Sequence, residues 1–200
     1  MISRREFFKA LIAGTAFYPF RNAFASISNP PSPLPDGRQA GPFSPPQAEG
    51  KGGFADERIL KMYNIHTGES LNIKYYSSGN YDLKALDEIN YFLRCHYTNE
   101  VKDIDISVLD LLCDIKDIVG KEKEIQIISG YRSIAYNELL ISQGKNVSRN
   151  TLHLQGLAID FSIEGVSNKG LSRIAKSFSA GGVGKYPEFV HIDVGRVRYW

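Results

Sequence analysis

The chain is organised around two segments, His153-Leu154-Gln155-Gly156-Leu157-Ala158-Ile159-Asp160 and Glu188-Phe189-Val190-His191-Ile192-Asp193. Gly156 permits a sharp change of backbone direction, and the apolar residues on either side of Asp160 and His191 predict two short buried strands. His191 and Asp193 share one face of the second strand, because side chains alternate with a period of two. If the strands are neighbours, Asp160 and His191 lie side by side and the Gly156 turn places His153 over them.

The three side chains offer two imidazole nitrogens and one carboxylate oxygen. This is a donor set typical of catalytic zinc, which takes three protein ligands and leaves a fourth position open. We therefore predict that His153, Asp160 and His191 bind zinc. The alternative is a metal-free domain in which the same side chains are polar residues of the core.

Residues 1–25 have the features of an export signal. Ser3-Arg4-Arg5-Glu6-Phe7-Phe8-Lys9 matches the twin-arginine pattern, an apolar stretch follows, and Ala23-Phe24-Ala25 offers the small residues of a cleavage site. The apolar stretch is too short for a membrane anchor, so we expect an exported, periplasmic or cell-wall-associated protein with no stable anchor after cleavage. Its partner during export would be the twin-arginine translocase.

Residues 26–53 are predicted to be a linker, because seven of the nine prolines fall there among Gly, Ser and Gln. The folded domain is predicted to span residues 54–200. The whole chain has a formal charge of +2, and residues 1–25 contain four basic residues against one acidic residue. The remainder is therefore close to neutral, which gives no electrostatic reason to expect nucleic-acid binding.

Within the domain, hydrophobic periodicity predicts strands at 59–65, 71–76 and 124–128, with His66 in a turn. Asp82 is a candidate N-cap for a first helix, Gly120 is a candidate stop for a second, and a short third helix is predicted over 135–142. Cys95 and Cys113 are assigned to the first two helices. A disulfide between them and two buried thiols are both compatible with the sequence.

Arg132 follows the strand at 124–128 within Ser129-Gly130-Tyr131-Arg132-Ser133. The guanidinium is a planar fork that suits a carboxylate or a developing oxyanion. An ordinary structural salt bridge is the alternative.

Taken together, Ser-Gly-Tyr-Arg-Ser, His-x6-Asp and the C-terminal Phe-Val-His-Ile-Asp-Val-Gly-Arg-Val-Arg-Tyr-Trp resemble the zinc peptidases of the M15 group. The resemblance covers Ile59 to Trp200 and is greatest to a branch formerly catalogued as a domain of unknown function, which contains murein endopeptidases. It implies an α+β single domain with a small antiparallel sheet and flanking helices, as in hedgehog and D-Ala-D-Ala peptidase domains. It also implies hydrolysis of peptide bonds in peptidoglycan stems or cross-links.

Carried to this chain, the resemblance makes His153, Asp160 and His191 the zinc ligands. Arg132 corresponds to the arginine that polarises the scissile carbonyl or binds a substrate carboxylate, and Glu188 to the general base of the dipeptidase members. Those members have two aromatic residues between the glutamate and the histidine, whereas this chain has Phe and Val. Asp193 is a reserve candidate for the base, although the resemblance suits it better as the group that orients an imidazole.

The implied mechanism is attack by a zinc-activated water, with Glu188 moving its proton and Arg132 stabilising the oxyanion. The competing hypothesis is a zinc-stabilised module that binds cell-wall peptides without cleaving them. The chain lacks a Gly-x-Ser-x-Gly element, and neither cysteine has a histidine partner by motif. Serine and cysteine hydrolases are therefore disfavoured.

Overall fold

The computed structural model describes residues 57–200, and the predicted signal peptide and linker lie outside this part of the chain. Residues 57–200 form eight strands and four α-helices. The strands are Glu57–Asn64 (β1), Ser70–Ser77 (β2), Asn80–Tyr81 (β3), Ile125–Ser129 (β4), Ala158–Ile163 (β5), Gly182–Lys185 (β6), Val190–Asp193 (β7) and Arg198–Tyr199 (β8). The helices are Leu83–Phe92 (α1), Ile106–Val119 (α2), Ile134–Ser142 (α3) and Asn168–Ser177 (α4).

Side-chain capping fixes the helix starts. Asp82 accepts from the backbone N–H groups of Lys84 and Ala85 at the start of α1, as its position predicts. Ser133 accepts from the N–H of Tyr136 and so begins α3 directly after Arg132. Helix α2 ends at Gly120, as predicted. None of the helices among residues 57–200 has the length and hydrophobicity that crossing a membrane requires.

All eight strands form one sheet in the order β3-β2-β1-β4-β5-β7-β6-β8. The predicted α+β single domain is correct, but the small antiparallel sheet is not. Strands β1 and β4 pair in parallel, as do β6 and β8, so the sheet is mixed and larger than expected. The first parallel pair is possible because α1 and α2 carry the chain back across the sheet between the two strands, and parallel strands need such a crossover.

Helices α1, α2 and α4 pack against the sheet, with α1 on β2, α2 on β1 and β7, and α4 on β6 and β7. The side chains of β5 and β7 that face these helices are fully buried and aliphatic or aromatic, including Ile159, Phe161, Val190 and Ile192. Because side chains alternate along a strand, the residues between them point to the opposite face of the sheet. Asp160 and His191 therefore lie on the face away from the main core.

The two cysteines are free and buried. Cys95 lies beyond the end of α1 rather than on it, and its Sγ is 3.4 Å from the hydroxyl of Ser133. Cys113 lies on α2, where its Sγ is 3.7 Å from the carbonyl oxygen of Ile59. The structure therefore favours two thiols packed against different partners over a disulfide.

Candidate metal centre

Strands β5 and β7 pair antiparallel with Asp160 directly opposite His191, which is the side-by-side placement that the two segments predict. His153 comes from a short 3-10 helix, Leu152–Gln155, that ends at Gly156 with a φ of 73°. A side chain at Gly156 would both adopt an unfavourable conformation and overlap the carbonyl oxygen of Asp103. The glycine thus lets the backbone turn tightly between His153 and β5.

The potential ligand atoms of His153, Asp160 and His191 converge on one point, and all three residues are buried. Nε2 of His153 is 3.2 Å from Nδ1 of His191 and 3.2 Å from an oxygen of Asp160. Nδ1 of His191 is 2.8 Å from the other oxygen of Asp160. Tetrahedral zinc with bonds of about 2.0–2.1 Å holds its ligands about 3.3–3.4 Å apart. The two 3.2 Å separations are close to this spacing, whereas the 2.8 Å separation between His191 and Asp160 is shorter.

The remaining ring nitrogens fix the tautomers. Nδ1 of His153 is 2.8 Å from the carbonyl oxygen of Gly130, which can only accept, so this nitrogen carries the proton. Nε2 of His191 is 3.0 Å from a carboxylate oxygen of Asp193 and donates to it. Each imidazole is thus fixed by a hydrogen bond from one ring nitrogen, and its other nitrogen faces Asp160. This arrangement is typical of metal-binding histidines.

The electrostatics of the site favour an ionised Asp160. Burial opposes ionisation of Asp160, but the charges and hydrogen bonds of His153 and His191 outweigh it and hold the pKa of the carboxyl well below its usual range. Burial likewise disfavours a charged His191, yet its hydrogen bonds with Asp160 and Asp193 raise its pKa to about 9. A divalent cation bound by the three groups would supply positive charge next to the ionised carboxylate.

Arg132 is buried beside the three converging groups. Its Nη2 is 3.5 Å from Asp160 and from the hydroxyl of Ser129, and its Nη1 is 3.5 Å from the side-chain oxygen of Asn137. Within residues 57–200, its Nε has no hydrogen-bond partner. A salt bridge with Asp160 is therefore present, but these contacts are long for a guanidinium. The arginine keeps hydrogen-bonding capacity for another acceptor.

Asp193 lies behind His191 and is fully buried. It accepts hydrogen bonds from His191, from the backbone N–H groups of Gly182 and Gly195, and from Arg198. Burial opposes its ionisation, but the hydrogen bonds from His191, Gly182 and Gly195 lower its pKa to about 2. A carboxylate held in this way orients His191 and is poorly suited to accept a proton from water.

Glu188 is the one predicted site residue that the structure does not bring into the cluster. It lies in the turn between β6 and β7, where the N–H of Tyr186 donates to the carbonyl of Phe189, and its side chain is exposed. Among the hydrogen bonds of residues 57–200, none involves its carboxylate. The two other histidines, His66 and His96, also lie outside the cluster. Their rings stack on each other with centroids 4.0 Å apart.

Two residues at the site carry no predicted role. The indole of Trp200 lies against Gly184, the pairing partner of His191, where a Cβ would come within 2.6 Å of the ring. Trp200 is 47% exposed, and the centroids of its indole and of the His191 ring are 5.4 Å apart. The indole therefore lines one side of the site. Arg198 binds Asp193 through both Nη atoms. Both residues belong to the C-terminal motif, and this motif is the sequence signal that could have identified them.

Comparison with known proteins identifies relatives over this whole domain. The family model Peptidase_M15_2, described as peptidoglycan L,D-endopeptidase MepK, matches residues 53–200. Peptidoglycan L,D-endopeptidase MepK of Escherichia coli (strain K12) is 40% identical over 145 residues, which are 72% of this chain and 80% of the relative. A protein of Haemophilus influenzae named as the probable peptidoglycan L,D-endopeptidase MepK is 36% identical over 146 residues, 72% of this chain and 78% of the relative.

Proposed function

The chain belongs to the Peptidase_M15_2 family of peptidoglycan L,D-endopeptidases, and on this premise we propose that it hydrolyses its substrate with a zinc ion bound by His153, Asp160 and His191. It is a peptidase that acts on peptide bonds of peptidoglycan, which favours the enzyme over the non-catalytic binding module. The observation that supports the metal is the convergence of three donor atoms whose histidines are each fixed through the opposite nitrogen. A zinc ion held there would act as a Lewis acid and would supply a water-derived nucleophile near neutral pH.

The proposed role of Arg132 is to bind the acceptor that the substrate presents, either a carboxylate of a peptidoglycan stem or the oxyanion that develops on the scissile carbonyl. Its Nε, which has no partner among the residues that the structure describes, and its long contacts support this role, because a new acceptor would gain short hydrogen bonds from a buried cation. Its backbone N–H donates to the carbonyl of His153, which ties the arginine to the proposed metal site.

The proposed general base is Glu188, which would accept a proton from the attacking water and transfer it to the leaving amine. Its position three residues before His191 supports the proposal, as does an exposed carboxylate that makes no hydrogen bond within residues 57–200. Asp193 is less suitable, since its two oxygens already accept from His191, Arg198 and two backbone N–H groups. Its proposed role is to orient the imidazole of His191.

The function is tested by digestion of purified sacculi. The protein should release muropeptides whose masses identify a cleaved peptide bond, a chelator should stop the release, and added zinc should restore it. Binding to sacculi with no release under any metal condition would contradict hydrolysis. Release that survives complete removal of metal would contradict the metal proposal alone.

Export through the twin-arginine translocase is a further proposal, and it depends on Arg4 and Arg5 outside the described residues. Replacing both with lysine keeps the charge but removes the arginine pair, so the precursor should accumulate in the cytoplasm. Cell fractionation measures this directly, with Arg21→Lys as the matched control in the same segment. A normal periplasmic level of the double-lysine protein would show that another route is used.

A further inference from the structure

Arg198 lies in the C-terminal segment and has no part in the function proposed above. Its Nη2 is 2.8 Å from Oδ2 of Asp193 and its Nη1 is 3.2 Å from Oδ1, so the guanidinium donates a hydrogen bond to each carboxylate oxygen. Oδ2 of Asp193 is the same oxygen that is 3.0 Å from Nε2 of His191. Two hydrogen bonds therefore connect Arg198 to the imidazole that faces the proposed metal.

We propose that Arg198 is a positioning residue for the metal centre and acts on His191 through Asp193. A bidentate guanidinium sets the plane of a carboxylate as well as its location. The orientation of that carboxylate fixes the direction of the Nε2–H of His191, and a rigid ring fixed at Nε2 has a fixed Nδ1. Nδ1 is the atom that faces His153 and Asp160.

The positive charge of Arg198 also stabilises the buried carboxylate of Asp193. Asp193 is completely buried, and its other donors are two backbone N–H groups and the ring N–H of His191. A buried carboxylate is costly unless an opposite charge and hydrogen bonds compensate it. Among the side chains of residues 57–200 that contact Asp193, Arg198 supplies the permanent positive charge.

The fold also holds Arg198 in place. Strand β8 pairs in parallel with β6, which sets Arg198 opposite Gly182. A Cβ on Gly182 would lie 2.8 Å from Nη1 of Arg198, so this glycine leaves the space that the guanidinium occupies. Nη1 also donates to the carbonyl oxygen of Arg196 at 3.0 Å. These contacts preorganise the fork before any metal binds.

Trp200 offers a direct probe of this arrangement, since it is the single tryptophan of the chain. The guanidinium carbon of Arg198 is 5.0 Å from the centroid of its indole, and the indole is 5.4 Å from the ring of His191. Zinc binding should therefore change the intrinsic fluorescence, and a metal titration can be followed at a single site.

The test measures zinc affinity of the full chain by competition with a chelator, followed by Trp200 fluorescence and by elemental analysis. Arg198→Gln keeps a polar side chain without the charge, and Arg198→Lys keeps the charge without the fork. Both should weaken zinc binding, with a loss of about 10–100-fold for Arg198→Gln, the usual effect of removing a group that orients a metal ligand. Arg196→Ala, an exposed arginine two residues away, should bind zinc like the parent.

A second measurement separates positioning from a merely structural role. At saturating zinc, kcat of Arg198→Gln should return to within a few-fold of the parent and KM should be unchanged, because the residue acts on the metal site and not on substrate. The inference rests on the proposed metal function, and the two fail differently. A parent that binds no zinc would overturn both, whereas a folded Arg198→Gln that binds zinc as tightly as Arg196→Ala would overturn this inference alone.

Discussion

Replacing His191 with alanine is expected to abolish zinc binding and peptidoglycan hydrolysis together. The variant loses one of three donors, and it also leaves Asp160 without the hydrogen bond at 2.8 Å and Asp193 without the one at 3.0 Å. The Lewis acid is worth several kcal/mol of transition-state stabilisation, which corresponds to a fall in rate of at least about 10³-fold. Elemental analysis and muropeptide release measure the two losses.

Loss of a buried partner also destabilises the fold, so the comparison needs variants that separate folding from metal binding. His191→Gln retains an amide that can donate to Asp160 and should be folded by circular dichroism while still losing zinc. His66→Ala and His96→Ala are matched controls, because these rings stack on each other outside the converging groups and should keep both metal and activity. Full zinc content in His191→Gln would remove His191 from the ligand set.

Local pattern was sufficient to predict how the three donors come together. Gly156 indicates a turn by its residue type, and alternating side chains indicate which residues of a strand share a face. The structure places Asp160 opposite His191 and His153 in the turn before β5, as these patterns predict.

The sheet could not be predicted to the same extent, because strand order depends on contacts between distant segments. The parallel pairing of β1 with β4 and of β6 with β8 has no local signature. Helix α4 was also absent from the prediction, although Leu171, Ile174, Ala175 and Phe178 follow helical spacing and Ser167 is its N-cap. Asn168, Gly170 and the two serines of α4 have weak helix propensity, and packing against β6 and β7 compensates for this.

Arg198 and Glu188 both show that separation along the sequence does not predict which side chains meet at the site. Arg198 is five residues from Asp193, and only the pairing of β8 with β6 brings the two together. Glu188 is three residues from His191, and the resemblance implies that it is the general base, a role that requires its carboxylate near the metal. The structure instead shows a tight turn between β6 and β7 whose tip is tied to α4, since Asn168 donates to the carbonyl oxygens of Tyr186 and Pro187.

Replacing Glu188 with glutamine tests whether that exposed carboxylate serves as the base. The variant preserves size and leaves His153, Asp160 and His191 untouched, so it should bind zinc and sacculi like the parent. Turnover should fall by about 10²–10⁴, the usual contribution of a general base.

Arg132→Lys should differ, because it keeps the charge but loses the planar guanidinium, and should therefore weaken substrate binding as well as rate.

The control for Glu188 is Glu164→Gln, which changes another exposed glutamate in a turn and should leave turnover unchanged. Asp193→Asn gives the contrast that assigns the two acids, since it should weaken zinc affinity through His191 and Arg198 whereas Glu188→Gln should not. If Glu188→Gln digests sacculi at nearly the parental rate, Glu188 is not the base. A rate loss in Asp193→Asn that persists at saturating zinc would then transfer that role to Asp193, because restored metal occupancy removes the contribution of ligand orientation.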